Sequence, residues 1–217
     1  MINLFLVLVF SYLIGSISPS ILLSRWIKGV DIRTYGSGNA GMTNAIRLLG
    51  SKWGSVVALV DLVKGLFCTL ILAPFLMTGI HMPGVDDILV RILAGVAAVA
   101  GHIWTVFFGF RGGKGVLTMA GSVLGVAPLP VAICLAVFLV IFAVFRYVSL
   151  GSIVGAIAFP VTVYVKRFYL AEPVSPHLLW FSLFVAALIA YTHRENIGRL
   201  LRGEEKKFGS PNNPKTP

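Results

Sequence analysis

Charge is scarce in this chain. Its 217 residues include 18 Lys or Arg and 8 Asp or Glu, so that 12% of the sequence is charged while 57% is hydrophobic. Soluble globular domains carry about 25% charged residues. The composition therefore excludes an ordinary soluble domain and predicts an all-α integral membrane protein.

Cysteine is nearly absent as well. Cys68 and Cys134 both lie in apolar stretches, where a thiol behaves as a small hydrophobic group. We therefore expect neither a disulfide nor a metal site, and no feature of the sequence requires a cofactor.

Long uncharged stretches follow one another along the chain. The first, at residues 2–23, can cross a hydrocarbon core of roughly 30 Å at about 1.5 Å per helical residue. It lacks a basic start and a small-residue cleavage site, so we interpret it as a membrane span and not as a signal peptide. Further apolar stretches lie at residues 54–75, 88–108, 116–145, 150–165 and 176–191.

The stretch at residues 116–145 is too long for one span, because a helix of that length would extend about 45 Å. Pro128 and Pro130 mark the point where it divides. The division predicts seven transmembrane helices with an extracytoplasmic N-terminus and a cytoplasmic C-terminus. In this topology most Lys and Arg residues face the cytoplasm, as the positive-inside bias requires. Residues 1–202 form one transmembrane domain, and we expect the polar residues 203–217 to be a disordered cytoplasmic tail.

The net charge of +10 raises nucleic acid as a possible partner. However, the cations cluster in short segments between spans and not along one soluble face. Membrane lipids and phosphate-bearing molecules are therefore the expected partners.

Three polar segments interrupt the apolar sequence: GSGNAGMTNAIR at residues 36–47, GFRGGKGV at 109–116 and HRENI at 193–197. They combine glycines, hydroxyls, amides and cations, which binding of a phosphate group beside a bilayer requires. Seven spans bring all three segments to the same side of the membrane, whereas six would separate the third from the other two.

The first polar segment matches G-x-G-x-x-G, but no strand-helix-strand unit surrounds it, so a dinucleotide site is not expected. Its last residues predict a short helix on which Thr43 and Arg47 share a face. Ser37 and Asn39 can contribute hydroxyl and amide contacts. A purely structural interfacial loop is the alternative interpretation.

The second polar segment resembles a phosphate-binding Walker loop only in part, because Gly115 stands where Ser or Thr would follow Lys114. We therefore reject nucleotide hydrolysis. Its glycines allow the backbone and Lys114 to approach a ligand closely. The alternative is a cytoplasmic turn that only maintains topology.

The third polar segment follows the last span. His193 and Asn196 would share one face if the helix continues through them, so both could contact one ligand. A histidine at a helix end can also serve only as a cap. Within the second span, Asp61 and Lys64 are either functional groups or a mutual ion pair, and His102 in the third span either packs helices or binds a ligand.

In this order and with these spans between them, the three segments resemble the bacterial acyl-phosphate:glycerol-3-phosphate acyltransferase family. The resemblance covers nearly the whole chain and implies a seven-span protein of the bacterial inner membrane with a cytoplasm-facing site. It implies that His193, Asn196, Lys114 and Arg47 are catalytic. The substrate- and phosphate-binding residues that it implies are Ser37, Gly38, Asn39, Thr43, Asn44, Arg47, Gly112, Gly113, Lys114 and Gly115.

The resemblance also implies a reaction in which the 1-hydroxyl of glycerol 3-phosphate attacks the carbonyl of a fatty acyl phosphate, giving lysophosphatidic acid and phosphate. His193 or a substrate phosphate oxygen would accept the hydroxyl proton. A membrane transporter of a phosphorylated solute is the alternative function, since cations among glycine-interrupted segments can also line a transport path.

His81 and Asp86 have the H-x4-D spacing of a different class of glycerolipid acyltransferases. Pro83 and Gly84 prevent a helical arrangement of this pair, and the predicted topology puts it on the opposite side of the membrane. We therefore interpret the spacing as accidental.

Overall fold

A computed structural model describes residues 1–79 and 86–209. All regular structure in these ranges is helical. The α-helices, in chain order, are α1 Ile2–Ser16, α2 Pro19–Lys28, α3 Met42–Leu49, α4 Ser51–Phe67, α5 Ala73–Met77, α6 Asp87–Ile103, α7 Val116–Leu124, α8 Pro128–Phe145, α9 Val148–Phe168, α10 Pro176–Thr192 and α11 Arg194–Leu201.

The first apolar segment, Ile2–Lys28, consists of α1 and α2 and is broken between them. Pro19 is the first residue of α2, and because proline has no amide hydrogen it cannot continue the hydrogen bonding of α1. The break frees the carbonyl of Ile17, which accepts a hydrogen bond from Lys64 Nζ at 2.9 Å. The interruption thus connects α1 to α4.

The second apolar segment, Ser51–Met77, contains α4 and α5 with a π-helical stretch, Cys68–Leu72, between them. Pro74 lies in the first turn of α5, where its missing amide hydrogen disturbs the regular α-helical pattern just before it.

Asp86 is the residue that precedes and caps the next helix, α6. Its carboxylate accepts a hydrogen bond from Leu89 N at 2.7 Å and caps the N-terminus of α6. This capping contact gives Asp86 a structural role, while His81, the other half of the rejected H-x4-D pair, lies outside the described residues.

The predicted division of the long apolar stretch is confirmed, because α7 ends at Leu124 and α8 begins at Pro128. Two glycines let α7 approach α4 closely. A Cβ atom added to Gly121 would lie 1.9 Å from Leu62 O, and one added to Gly65 would lie 2.1 Å from Thr118 O. α7 is therefore held against α4 at backbone contact distance.

The last two helices do not form the continuous helix that would put His193 and Asn196 on one face. α10 ends at Thr192, α11 begins at Arg194, and their axes differ by 62°. The condition for a shared helical face is therefore not met, since the backbone leaves helical geometry at His193.

Five segments in the described ranges are long and apolar enough to cross a membrane, or six if α10 and α11 form one bent span. The sequence predicts seven because it counts residues 116–127 as a crossing. α7 has nine residues, or about 13.5 Å of helix, which is less than half of a hydrocarbon core.

The polar segment after Arg202 is described as far as Gly209, and this part lies against the helices. The Phe208 ring meets the Phe142 ring of α8 edge to face at 5.5 Å, and Phe208 N donates a hydrogen bond to Arg146 O at 2.8 Å. Residues 203–209 therefore differ from the expectation of a disordered tail, while residues 210–217 lie outside the described residues.

Candidate active site

A cavity of about 740 Å³ opens among the helices. All three polar segments of the sequence contribute residues to its lining, and we call this part the polar end. Apolar side chains of α7, α8, α9 and α10 line most of the remainder, including Met119, Val131, Phe138, Phe159 and Val185. The cavity is thus divided between a charged part and a larger apolar part.

The loop before α3 is held by Asn44. Its amide nitrogen lies 3.0, 2.9 and 3.1 Å from the carbonyl oxygens of Ile32, Tyr35 and Asn39, and its oxygen accepts from Ser37 N at 3.2 Å. Both ends of the amide are therefore bonded to the loop backbone. Asn44 shapes the loop, and its amide is not free for the direct substrate contact that the sequence suggested.

Gly36 meets this amide closely. Its φ angle is +59°, and a Cβ atom added to it would lie 2.4 Å from Asn44 Oδ1. Only glycine fits this position without displacing the amide. Gly38 also has a positive φ, of +71°, and does not line the cavity, whereas Ser37 and Asn39 do.

Thr43 and Arg47 of α3 both line the cavity, in agreement with the predicted shared face. The Arg47 side chain is half buried, and burial lowers its pKa, with Glu205 acting in the opposite direction. Its guanidinium lies within electrostatic range of Glu205 and Arg199. Arg47 thus brings a partly dehydrated positive charge to the polar end.

The second polar segment is hydrogen-bonded to the C-terminal end of α6. Gly112 N donates to Ile103 O at 2.9 Å, and Gly113 N donates to His102 O at 3.1 Å. A Cβ atom on Gly112 would lie 1.9 Å from His102 O, and one on Gly113 would lie 2.2 Å from His102 Nε2. These two glycines fit the loop against α6, and neither lines the cavity.

Lys114 and Gly115 line the cavity, and Gly115 has a φ angle of +80°. Lys114 Nζ donates a hydrogen bond to Asn196 Oδ1, which joins the second and third polar segments. Burial, together with the positive charge of Arg199, lowers the pKa of Lys114 to about 8. Lys114 is therefore a cation whose charge is sensitive to its surroundings near neutral pH.

His193 and Asn196 line the polar end and are 3% and 7% exposed. His193 Nδ1 lies 2.9 Å from Ile189 O. A carbonyl oxygen only accepts, so Nδ1 carries the proton and Nε2 keeps a free electron pair. Burial and the neighbouring charge of Lys114 lower the pKa of His193 to about 4, so the ring is neutral at pH 7.

Sequence reasoning missed three further residues of the polar end: Ser149 on α9, Arg199 on α11 and Glu205 after it. All three line the cavity. The Glu205 carboxylate accepts from Ser149 Oγ and Asn196 Nδ2, both at 2.6 Å, and from Arg199 Nε at 2.7 Å. The i, i+3 spacing of Asn196 and Arg199 was a usable signal, whereas Glu205 was hidden in an apparently disordered tail.

A second charged group, which we call the buried triad, lies between α4 and α6. Lys64 Nζ is 2.8 Å from Asp61 Oδ1 and 2.9 Å from His102 Nδ1. The predicted Asp61–Lys64 ion pair is confirmed, and His102 joins it. His102 also supports the glycine loop that precedes Lys114, and both Asp61 and His102 line the same cavity.

Comparisons with known proteins agree with one another. A family described as "Glycerol-3-phosphate acyltransferase" matches residues 5–203. Proteins named glycerol-3-phosphate acyltransferase from Chlorobium phaeobacteroides (strain BS1) and Chlorobaculum tepidum are 44% and 41% identical to this chain. The matches cover 95% and 98% of this chain and 97% and 100% of those proteins.

Solved structures are similar over the same extent. PlsY, described as an integral membrane glycerol 3-phosphate acyltransferase, is 39% identical in its glycerol 3-phosphate form, with a TM-score of 0.81 over 95% of this chain and 96% of that chain. The lysophosphatidic acid form of PlsY gives a TM-score of 0.80. With its several long apolar helices, the present chain is therefore a multi-pass membrane protein.

Proposed function

The chain belongs to the glycerol-3-phosphate acyltransferase family, and on that premise we propose that it transfers a fatty acyl group from an acyl phosphate to the 1-hydroxyl of glycerol 3-phosphate. The products are lysophosphatidic acid and inorganic phosphate. One observation carries this proposal, namely a single cavity with cations at its polar end and an apolar lining elsewhere. An acyl phosphate has the same division, because its phosphate is anionic and its chain is apolar.

The relatives support the choice of acceptor and product. PlsY is described in a glycerol 3-phosphate form and in a lysophosphatidic acid form, which are the acceptor and the product of the proposed reaction. The curated relatives carry the name of an acyltransferase, which favours chemistry over the alternative of solute transport.

Arg47 and Lys114 are the proposed phosphate-binding cations, since both line the polar end. Ser37, Asn39 and Thr43 supply hydroxyl and amide groups around them. The glycines act through the backbone: Gly38 shapes the first loop, Gly112 and Gly113 seat the second loop on α6, and Gly115 brings the backbone beside the ligand. We assign Asn44 a positioning role, because its amide holds the first loop.

The proposed reaction needs no covalent enzyme intermediate. An acyl phosphate is an activated mixed anhydride, so the acceptor hydroxyl attacks its carbonyl carbon directly, the carbon–oxygen bond to phosphate breaks, and phosphate leaves with the electron pair. The protein contributes by holding both reactants and by stabilising the negative charge that develops on the departing phosphate. Arg47 and Lys114, held in a partly dehydrated site, suit that task.

The hydroxyl proton passes to a substrate phosphate oxygen in our proposal. The second pKa of a phosphate monoester is about 6, whereas the pKa of His193 is about 4. The phosphate is therefore the stronger base of the two. His193, with its free Nε2 electron pair, would instead accept a hydrogen bond from the acceptor and orient it, as Asn196 would beside it.

We further propose seven membrane crossings, with the N-terminus outside the cytoplasm and the site facing it, in the bacterial inner membrane. The meeting of the three polar segments in one cavity supports this topology, because an even number of crossings must then separate each segment from the next. α7 and the non-helical residues beside it would supply the short crossing. The bias of Lys and Arg toward one side gives the orientation.

The test uses purified protein in detergent, supplied with a fatty acyl phosphate and glycerol 3-phosphate. We expect lysophosphatidic acid and phosphate in equal amounts, and no product when the corresponding acyl coenzyme A replaces the acyl phosphate. Turnover in detergent needs no sealed compartment, so it also separates an enzyme from a transporter. Absence of product with acyl phosphate, or equal turnover with both donors, would contradict the proposal.

A further inference from the structure

Glu205 lies two residues beyond the part of the chain that matches the family, which ends at residue 203. Its side chain is 9% exposed, whereas that of the neighbouring Glu204 is 56% exposed. Three groups from two helices donate to its carboxylate, as described above. A carboxylate with this much burial and this many donors has one well-defined position.

The orientation of Asn196 depends on this carboxylate. Asn196 Nδ2 donates to Glu205 Oε1 at 2.6 Å, and Asn196 Oδ1 accepts from Lys114 Nζ. A carboxylate only accepts, so it requires the nitrogen of the amide on its side and turns the oxygen toward Lys114. Lys114 Nζ, which only donates, selects the same orientation from the other side, so the two contacts together fix the amide. Glu205 thus acts on Lys114 through Asn196.

Arg199 is held in the same way. Its Nε donates to Glu205 Oε2 at 2.7 Å, and this leaves the outer nitrogens of the guanidinium for other partners. One of them lies 4.0 Å from the exposed Glu195, at the limit of an ion pair. Glu205 therefore fixes the Nε side of the Arg199 guanidinium beside the polar end.

We propose that Glu205 is a positioning residue of the phosphate-binding site, one that orients Asn196 and Arg199 and through Asn196 sets the position of Lys114. This inference rests on the proposed function for the identity of the anion, which is the phosphate of glycerol 3-phosphate or of the acyl phosphate. It makes the C-terminal segment, residues 203–209, part of the site.

Anchoring of the C-terminal segment is the competing role for Glu205. Other contacts already hold this segment, among them the ring contact between Phe208 and Phe142 and the hydrogen bond from Phe208 N to Arg146 O. Neither involves Glu205. A change of Glu205 that preserves its volume therefore leaves the anchor in place and tests positioning alone.

The charge of Glu205 adds a second readout. The charged and titratable groups that act on Lys114 are Arg47 on α3, Arg199 and Glu195 on α11, His193 and Glu205, and Asp61 and His102 of the buried triad line the same cavity. Arg199 and Arg47 lower the pKa of Lys114, and Glu205 raises it more than Glu195 does. Neutralising Glu205 therefore makes Lys114 lose its proton at lower pH.

The experiment compares Glu205→Gln with Glu172→Gln, which removes the same charge from a carboxylate that pairs with Lys166 and does not line the cavity. For Glu205→Gln we expect the KM for glycerol 3-phosphate to rise about tenfold or more, since charge-assisted hydrogen bonds are lost. The alkaline limb of kcat/KM should move to lower pH by up to about one unit. Glu172→Gln should stay within about twofold of the wild type.

Glu205→Asp separates geometry from charge. It keeps the carboxylate but shortens the side chain, so we expect a raised KM with an alkaline limb at the wild-type pH. The thermal unfolding midpoint of each variant checks that it is folded. Should Glu205→Gln fail to fold, the KM of Glu205→Asp decides the matter, because a positioning role requires it to rise.

Two results would overturn the inference. A KM below the wild-type value in Glu205→Gln would mean that the carboxylate competes with the substrate phosphate, and an unchanged KM and pH profile would mean that it only anchors the segment. If the wild type gives no turnover, the proposed function fails, but calorimetric binding of glycerol 3-phosphate and of inorganic phosphate still tests Glu205. Weaker binding by Glu205→Gln would then support positioning of an anion site, and equal binding would exclude it.

Discussion

The buried triad and the polar end use the same kinds of side chain for different purposes. Each contains an acid and a lysine, and each lies on helices of a membrane-embedded bundle. In the buried triad, Lys64 is bonded to Asp61, to His102 and to the carbonyl of Ile17. One acid therefore balances one lysine, and every donor of Lys64 has a partner.

At the polar end the charges do not balance. Outside the buried triad, the cavity is lined by four cations, Arg47, Lys114, Arg199 and Lys206, and by two acids, Glu204 and Glu205, while His193 is neutral at pH 7. The remaining positive charge lies beside a large cavity. The comparison teaches that an ionisable group inside a membrane protein indicates a ligand only when its neighbours leave its charge unmatched, since a matched group already has its counter-ion.

The largest effect should come from breaking the buried triad. Lys64→Met leaves Asp61 as a buried charge without its lysine, so we expect the free energy of unfolding to fall by about 3–5 kcal/mol. Unfolding in detergent measures it. Lys52→Met, at an exposed position near the start of α4, should change stability by no more than about 0.5 kcal/mol. A Lys64→Met variant as stable as the wild type would show that the triad does not support the fold.

Removing a cation from the polar end should instead affect catalysis. For Lys114→Ala we expect kcat/KM to fall about 100- to 1000-fold, because one charged group that stabilises the transition state is lost. The thermal unfolding midpoint should stay near the wild-type value. Lys28→Ala, at the exposed end of α2, is the matched control and should keep full activity. Retained activity in Lys114→Ala would remove this residue from the site.

His193 should have a smaller effect. If it orients the acceptor and a substrate phosphate takes the proton, His193→Ala removes one hydrogen bond and lowers kcat about tenfold. Steady-state kinetics at saturating substrate measures this change. A loss of about 100-fold or more, together with disappearance of the acidic limb of the pH profile, would identify His193 as the general base.

The smallest effect at neutral pH concerns the titration of Lys114. Its pKa is lowered from 10.5 to about 8, and its protonated form binds phosphate. We therefore expect kcat/KM to be level between about pH 7 and pH 8 and to fall above pH 8, by about tenfold per pH unit at most. Lys114→Arg keeps its charge and should lack this limb. An identical limb in both proteins would assign it to another group.

The division of the long apolar stretch shows what local sequence can predict. Its length exceeded one span, and Pro128 supplied a reason for a break, so the boundary between α7 and α8 was predictable from these residues alone. The count of seven spans was a weaker inference, because it depends on residues 116–127, which are short for a full crossing, forming one of the spans. In the structure α7 is a short helix packed on α4 through Gly65 and Gly121. The requirement for a small side chain at such a contact can be recognised only once the partner helix is known.

Asn44 shows where the prediction of the site fell short. The sequence placed an amide in a polar segment, and an amide there can bind either a ligand or the backbone. The structure gives it four backbone partners, which makes it a support for the loop. Sequence alone could not decide, because the choice depends on how residues 32–39 return toward α3.

The sequence by itself determined that the chain lies in a membrane, that three polar segments carry its chemistry, and which family it resembles. These properties depend on composition, on lengths of apolar stretches and on short motifs, all of which are local. Tertiary structure alone decided that Lys114 meets Asn196, 82 residues away, and that Ser149 meets Glu205, 56 residues away. Contacts between such distant residues follow from the packing of α9, α11 and the C-terminal segment, and no local pattern encodes where those elements meet.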